Sequence, residues 1–224
     1  MTLANLKHLV LIALVLGVPT VLMRTYPWDL QAADVFFDGQ GGWKLEQLQL
    51  FMIFKKFGVA PGLTLGIGAL VVWLAGYKIK RLAVHRSFCL FLWLTLAIGP
   101  GLIVNVAFKE YYGRPRPDEV FRYGGKYPFE KVWDYSHAGR HSFPSGHASI
   151  AFFLLTPWFW YRNRRRNVGL RWLVIGLAYG CLMGVTRMGQ GGHWLSDTFW
   201  SFGFVYLTGW ILSLIIGADP TGES

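Results

Sequence analysis

His193 and Asp197, four residues apart, are the pair of side chains in this sequence best suited to covalent chemistry. If a helix starts near His193, a carboxylate four residues on lies one turn away on the same face. There it can accept a hydrogen bond from one ring nitrogen and leave the other free to attack phosphorus, a nucleophile backed by an orienting group. A purely structural His–Asp pair is the plainer alternative. A second histidine lies in Phe143-Pro144-Ser145-Gly146-His147-Ala148-Ser149. Pro, Ser and Gly mark a helix start there, and its free N–H groups and positive dipole end form an anion site. Ser145 adds a hydroxyl, and His147 can deliver a proton to a leaving oxygen. A simple helix cap would account for the serine but not for the histidine.

The third cluster is Lys109-Glu110-Tyr111-Tyr112-Gly113-Arg114-Pro115-Arg116-Pro117. Lys109 brings a compact cation and Arg116 a planar fork that can hold two phosphate oxygens. Membrane-edge cations bound to lipid head groups would explain the same residues more blandly. Taken together, the clusters supply cations, an anion nest, a candidate nucleophile with a carboxylate behind it, and a candidate acid. That set suits phosphoryl transfer, in which catalysis is mostly positioning and charge stabilisation. No carboxylates or Cys/His ligands cluster along the sequence, so neither a metal nor another cofactor is expected. Cys89 and Cys181 fall in apolar stretches and read as packing residues.

These residues need a frame, and composition says which kind. Of 224 residues 53% are hydrophobic, 17% aromatic and only 15% charged, which points to a membrane protein. Six apolar segments, near residues 6–23, 59–77, 87–108, 146–161, 171–187 and 194–217, approach the ~20 residues a spanning helix needs. The first has only Lys7 before it and no small-x-small cleavage pattern after it, so it reads as a retained helix rather than a signal peptide. The net charge of +10 resides largely in two loops, 78–86 and 162–171, with nine basic residues and no acid. Such loops mark the cytoplasmic side, which argues against a nucleic-acid partner. Segments 24–58 and 109–144 balance their charges better and are expected outside, with the turn 188–193, while both termini face the cytoplasm. Residues 43–57 read either as an interfacial helix or as an extension of the second span. Gly176, Gly180 and Gly184 could pack within the bundle or between protomers, which leaves the oligomeric state open.

The expectation is therefore an all-α integral membrane protein, one domain over 1–224 with six transmembrane helices and its active site at the outer, periplasmic surface. The motifs reinforce this. Lys109 with Arg116-Pro117 after six intervening residues, then Pro144-Ser145-Gly146-His147, then Arg187 with His193 and Asp197, resembles the signature of the type-2 phosphatidic acid phosphatase and vanadium haloperoxidase superfamily. Thr186 departs mildly, since serine is common there. The resemblance covers about residues 87–215. It implies a six-helix core and a phospho-histidine at His193 oriented by Asp197, with His147 protonating the lipid alcohol. It also implies that Lys109, Arg116, Ser145, Gly146 and Arg187 hold the phosphate. Ile98-Gly99-Pro100-Gly101-Leu102-Ile103-Val104-Asn105, Gly113 to Pro117 and Arg187 to His193 look like the bacterial lipid A 4'-phosphatase branch.

The resulting expectation is a metal-independent lipid phosphohydrolase of a bacterial inner membrane. Its partner would be a phosphorylated membrane lipid such as lipid A, undecaprenyl pyrophosphate, phosphatidylglycerophosphate or phosphatidic acid. Arg114, Arg140, His141 and His137 are candidates for reading the head group, or else solvated loop residues. A phosphotransferase on the same residues is the leading alternative. A vanadate-dependent haloperoxidase sits poorly with six apolar spans. A transporter sits poorly with polar residues gathered at one surface rather than at midplane.

Overall fold

An apolar chain away from water must satisfy its backbone groups internally, and helices do this within one segment. The computed structural model describes residues 3–136 and 138–217. It opens with α1 (Leu3–Thr25) and a short α2 (Trp28–Phe36). α3 (Gln49–Phe57) runs through Gly58 and Val59 into α4 (Ala60–Ala75), and a single turn, α5 (Lys80–Ala83), leads to α6 (Arg86–Leu96). This helix continues as a π-helical stretch, Ala97–Phe108, and a final turn, α7 (Lys109–Tyr111). After a long loop come α8 (Gly146–Phe152), a 3-10 turn Phe153–Leu155, α9 (Pro157–Tyr161), α10 (Arg166–Met188) and α11 (Leu195–Ile215). Among the described residues β-pairing is confined to three isolated bridges.

Five helical stretches among the described residues are long and apolar enough to cross a membrane: Leu3–Thr25, Gln49–Ala75, Arg86–Tyr111, Arg166–Met188 and Leu195–Ile215. The expected span at 146–161 takes another form, α8 and α9 joined through the 3-10 turn. Its position explains why. Ala148, Ala151, Phe153 and Leu155 are 0% exposed; α4, α10 and α11 pack around this segment, and Phe88 and Phe91 of α6 meet Trp160 at its end. A segment facing protein on every side need not offer lipid a long unbroken apolar surface. Pro157, which lacks an N–H, starts the second piece. Residues 43–57 resolve as the second alternative from Gln49 onward: α3 extends the second span, whereas 43–48 form turns.

Two local devices bring the helices together. Pro100 lies inside the third span, where it cannot donate to the helical ladder. The chain widens to π geometry there, and the Asn105 amide donates to the Pro100 carbonyl at 2.7 Å. On α10, the glycine stripe faces the bundle interior. An added Cβ would lie 2.2 Å from the Leu155 nitrogen at Gly176, 2.0 Å from the Phe152 ring at Gly180, and 2.2 Å from Thr198 at Gly184. These glycines pack helices of one chain against each other.

Candidate active site

Chain segments far apart in sequence meet at one end of the bundle: the end of α10, the start of α11, the start of α8, α7, the loop 113–119, the start of α2, and α3. Residues 189–192 link α10 to α11 by a turn that only small residues allow. Gly191 has φ +66, and a Cβ on it would lie 2.3 Å from the Trp43 ring. A Cβ on Gly192 would lie 2.3 Å from Arg187 Nη2. Backbone bonds clamp the turn from outside: Leu45 N–H donates to Gly189 O at 3.0 Å and Asp118 N–H to Gly191 O at 3.1 Å. Trp194, 1% exposed, donates from Nε1 to the Pro115 carbonyl at 2.8 Å and so joins this turn to the Arg114–Arg116 segment.

His193 follows the turn and is 2% exposed. Its Nδ1 lies 2.7 Å from the Ser142 carbonyl and 3.5 Å from Asp197 Oδ2. The expected Asp197 hydrogen bond is thus displaced: the direct partner is a backbone oxygen, and the carboxylate stands behind it. A carbonyl can only accept, so Nδ1 carries the proton, and in the neutral ring Nε2 keeps its lone pair. Burial pushes the His193 pKa down to about 4 against the pull of Asp197, with Arg187 adding to the depression. The imidazole is therefore neutral at pH 7.

Asp197 is fully buried and saturated. It accepts from Arg114 Nη1 at 2.6 Å, Ser142 Oγ at 2.5 Å and the Trp194 N–H at 2.9 Å. Arg114 is 0% exposed, and its Nη2 donates to Asp29 Oδ2 at 2.8 Å. Its remaining donors reach Ser196 Oγ and the Glu130 carbonyl. Asp29 also accepts from Ser196 N–H at 2.8 Å and Ser196 Oγ at 2.6 Å, so two carboxylates cap the positive end of α11. Arg114 was expected among the head-group contacts. Complete burial between two aspartates corrects that: its guanidinium is spent inside the protein.

The cations and His147 gather nearby. Arg187, Lys109 and Lys55 lie within electrostatic reach of His147, as does the His193 ring. Arg187 is 5% exposed; Nη1 donates to Gln190 Oε1 at 3.0 Å while Nε, buried, has no protein partner. Ser145 caps α8, accepting the Ala148 N–H at 3.4 Å. Gly146 is required by packing, because a Cβ there would lie 2.4 Å from Asn105 Oδ1. Of the outer candidates, Arg140 pairs with Glu119 through Nε at 2.9 Å, and exposed His141 lies with Nδ1 2.8 Å from the Lys109 carbonyl. His137 lies outside the described residues.

Several side chains at this end of the bundle carry little or no signal in the sequence. Asp29 and Ser142 carry no spacing signal, although Ser142 stands three residues before Ser145. Lys55 is a cation in an apolar helical run, which was the available clue. Asp118 lies within electrostatic reach of Arg116 and Arg187; burial and then Glu119 raise its pKa to about 6 against those arginines.

The PAP2 superfamily profile matches residues 88–219, the stretch that holds Lys109, Arg116, Ser145, His147, Arg187, His193 and Asp197. The lipid A 4'-phosphatase of Francisella tularensis subsp. novicida is 34% identical over 138 residues, covering 61% of this chain and 60% of that protein. A lipid A 4'-phosphatase of Rhizobium leguminosarum is 35% identical over 130 residues, 55% of this chain and 49% of that protein. A lipid A 1-phosphatase of Rhizobium etli is 32% identical over 137 residues, 55% of this chain and 51% of that protein. The matches thus span about half to three-fifths of these relatives' own lengths. No solved structure matches the chain significantly.

Proposed function

The chain belongs to the PAP2 superfamily, and on that premise we propose that it hydrolyses the phosphate of a membrane lipid through a covalent intermediate on His193. The observation that carries this reading is the state of His193: a neutral imidazole, tied through Nδ1, beside Arg187 and Arg116. In the first step Nε2 attacks phosphorus and a P–N bond forms. The P–O bond to the lipid breaks, and its electron pair leaves with the oxygen, which takes a proton from His147, protonated on both ring nitrogens when the substrate binds. Lys109, Arg116 and Arg187, with the free N–H groups at the start of α8, hold the non-bridging oxygens as charge builds on them. In the second step water attacks the phospho-histidine and His147 takes its proton. The P–N electron pair returns to His193, phosphate departs, and both histidines regain their starting states.

The segment 146–161 counts as a sixth crossing, a central one sheathed by the others. The basic loops 78–86 and 162–171 lie at the cytoplasmic face with both termini. The site then opens at the periplasmic surface of a bacterial inner membrane. A lipid A-type phosphate monoester is the favoured substrate, on the strength of the names carried by the relatives. A panel in detergent of lipid A, undecaprenyl pyrophosphate, phosphatidylglycerophosphate and phosphatidic acid, scored for free phosphate, tests the assignment. Preferential release from lipid A is expected. Preference for the pyrophosphate would move the substrate, and phosphate appearing on an acceptor lipid instead of in water would make the protein a transferase.

A further inference from the structure

α3 brings a cation to the candidate site from outside residues 88–219, the stretch that matches the family. Phe51, Phe54 and Lys55, with Gly58 just past the helix end, recur at the three- and four-residue spacing of a single face. That face meets α10 and the turn after it. The Phe51 carbonyl accepts from Gln190 Nε2 at 3.1 Å, and Gln190 Oε1 accepts from Arg187 at 3.0 Å. The Phe54 ring packs edge-on against Tyr179 with centroids 5.3 Å apart, and a Cβ on Gly58 would lie 2.5 Å from Met183 Cε. Helical side chains lean toward the N-terminus of their helix, so the Lys55 stem leads back toward Phe51, Gln190 and Arg187. Arg187, Arg116, Asp118 and Glu46 lie within electrostatic reach of its charge, and so does His147.

Four other cations at this end of the bundle are spent on ion pairs: Arg24 with Asp134, Arg122 with Asp34, Arg140 with Glu119, and Arg114 with Asp29 and Asp197. Lys55 shares in none of them. A lysine in an apolar span is costly unless its charge is used. Snorkelling to the head-group layer would satisfy it on any outward face, as it does the neighbouring Lys56, which is exposed with Nζ 5.3 Å from the Phe57 ring centroid. The α10-facing position instead gathers Lys55 with groups that converge on a phosphate. We propose that Lys55 is a substrate-binding residue, a fourth cation beside Lys109, Arg116 and Arg187 that meets the phosphate of the anionic lipid; the inference rests on the lipid phosphatase reading. Its compact charge rides on a flexible, exposed stem. Such a group is not preorganised for charge that develops only in the transition state, so it binds substrate and transition state alike and its effect falls on KM.

The test uses the full chain and phosphatidic acid in mixed micelles. Lys55→Met keeps an unbranched side chain and removes the charge, Lys55→Arg keeps the charge, and Lys56→Met is the control. Lys55→Met is expected to raise KM about tenfold, the low end of what a hydrogen bond to a charged group is worth, with kcat little changed. Lys55→Arg should recover most of the loss, and Lys56→Met should leave KM where it was. A KM that does not move in Lys55→Met, or that moves as far in Lys56→Met, overturns the proposal. So does a loss that Lys55→Arg fails to recover, which would mark a packing role. A second readout does not need turnover: calorimetric binding of inorganic phosphate to the protein in detergent, expected to weaken in Lys55→Met and not in Lys56→Met. Equal affinity in the unaltered protein and Lys55→Met, or binding to neither, overturns it as well. If the unaltered protein released phosphate from no lipid, the phosphatase reading would fail while phosphate binding still decided the role of Lys55.

Discussion

Replacing Asp29 with alanine removes the far end of a buried Asp–Arg–Asp chain, and its consequences can be worked through from the contacts. Three donors lose their acceptor: Arg114 Nη2 at 2.8 Å, Ser196 N–H at 2.8 Å and Ser196 Oγ at 2.6 Å. A stranded buried donor costs about 1–3 kcal/mol, and breaking a buried ion pair by removing one partner costs about 3–5 kcal/mol. These overlap and do not add, so about 3–5 kcal/mol is expected, out of a typical total of about 5–15 kcal/mol. At about 2–4 °C per kcal/mol for a chain of this size, the melting temperature should fall by about 6–20 °C. Asp29 touches no substrate in the proposed mechanism, but Arg114, once released from it, shifts the carboxylate behind His193. The kcat should therefore drop with KM little changed. Asp29→Asn keeps the shape and one acceptor and should fall between the two. Thermal melts and phosphate release in the same detergent measure both effects. An Asp29→Ala protein that melts within about 2 °C of the unaltered one and keeps its kcat would refute this account of what holds Asp197.

His147→Ala should lower kcat about 10²–10⁴-fold, the usual worth of a proton-transfer group, and should lose less on an aryl phosphate whose leaving group needs no proton. Equal losses on both substrates would remove His147 from the acid role. The nucleophile must be unprotonated, so activity should collapse as pH falls through about 4, where His193 titrates, not through the usual histidine range. Asp118 ionises as pH rises through about 6 and puts a negative charge near Arg116 and Arg187. KM should then rise above that pH, and in Asp118→Asn it should not; a KM flat through pH 6 in the unaltered protein would contradict this. Among the described residues no three His, Cys, Asp or Glu side chains group to hold a metal ion, so a chelator should leave turnover intact. Loss of activity that magnesium restores would reveal a metal requirement.

The motif residues were legible because each cluster is short and its spacing maps onto helix ends: Ser145 does start α8, and Asp197 lies in the first turn of α11. The five long apolar helices were legible from hydropathy. The segment 146–161 misled as to form because its apolar residues meet protein rather than lipid, and hydropathy does not distinguish the two. Arg114 was misjudged for a related reason. Its neighbour Arg116 remains partly exposed, while Arg114 pairs with Asp29, 85 residues earlier in the chain. The partner of His193 was invisible in principle, since the Ser142 carbonyl is a backbone group that every residue carries.

The central claim is that phosphate passes through His193, and rapid quenching of the protein with a lipid carrying radiolabelled phosphate tests it most directly. The account predicts acid-labile, base-stable label on the peptide that contains His193 and none with His193→Gln, which should be folded and inactive. Label on a different residue, or appreciable phosphate release by His193→Gln, would contradict it.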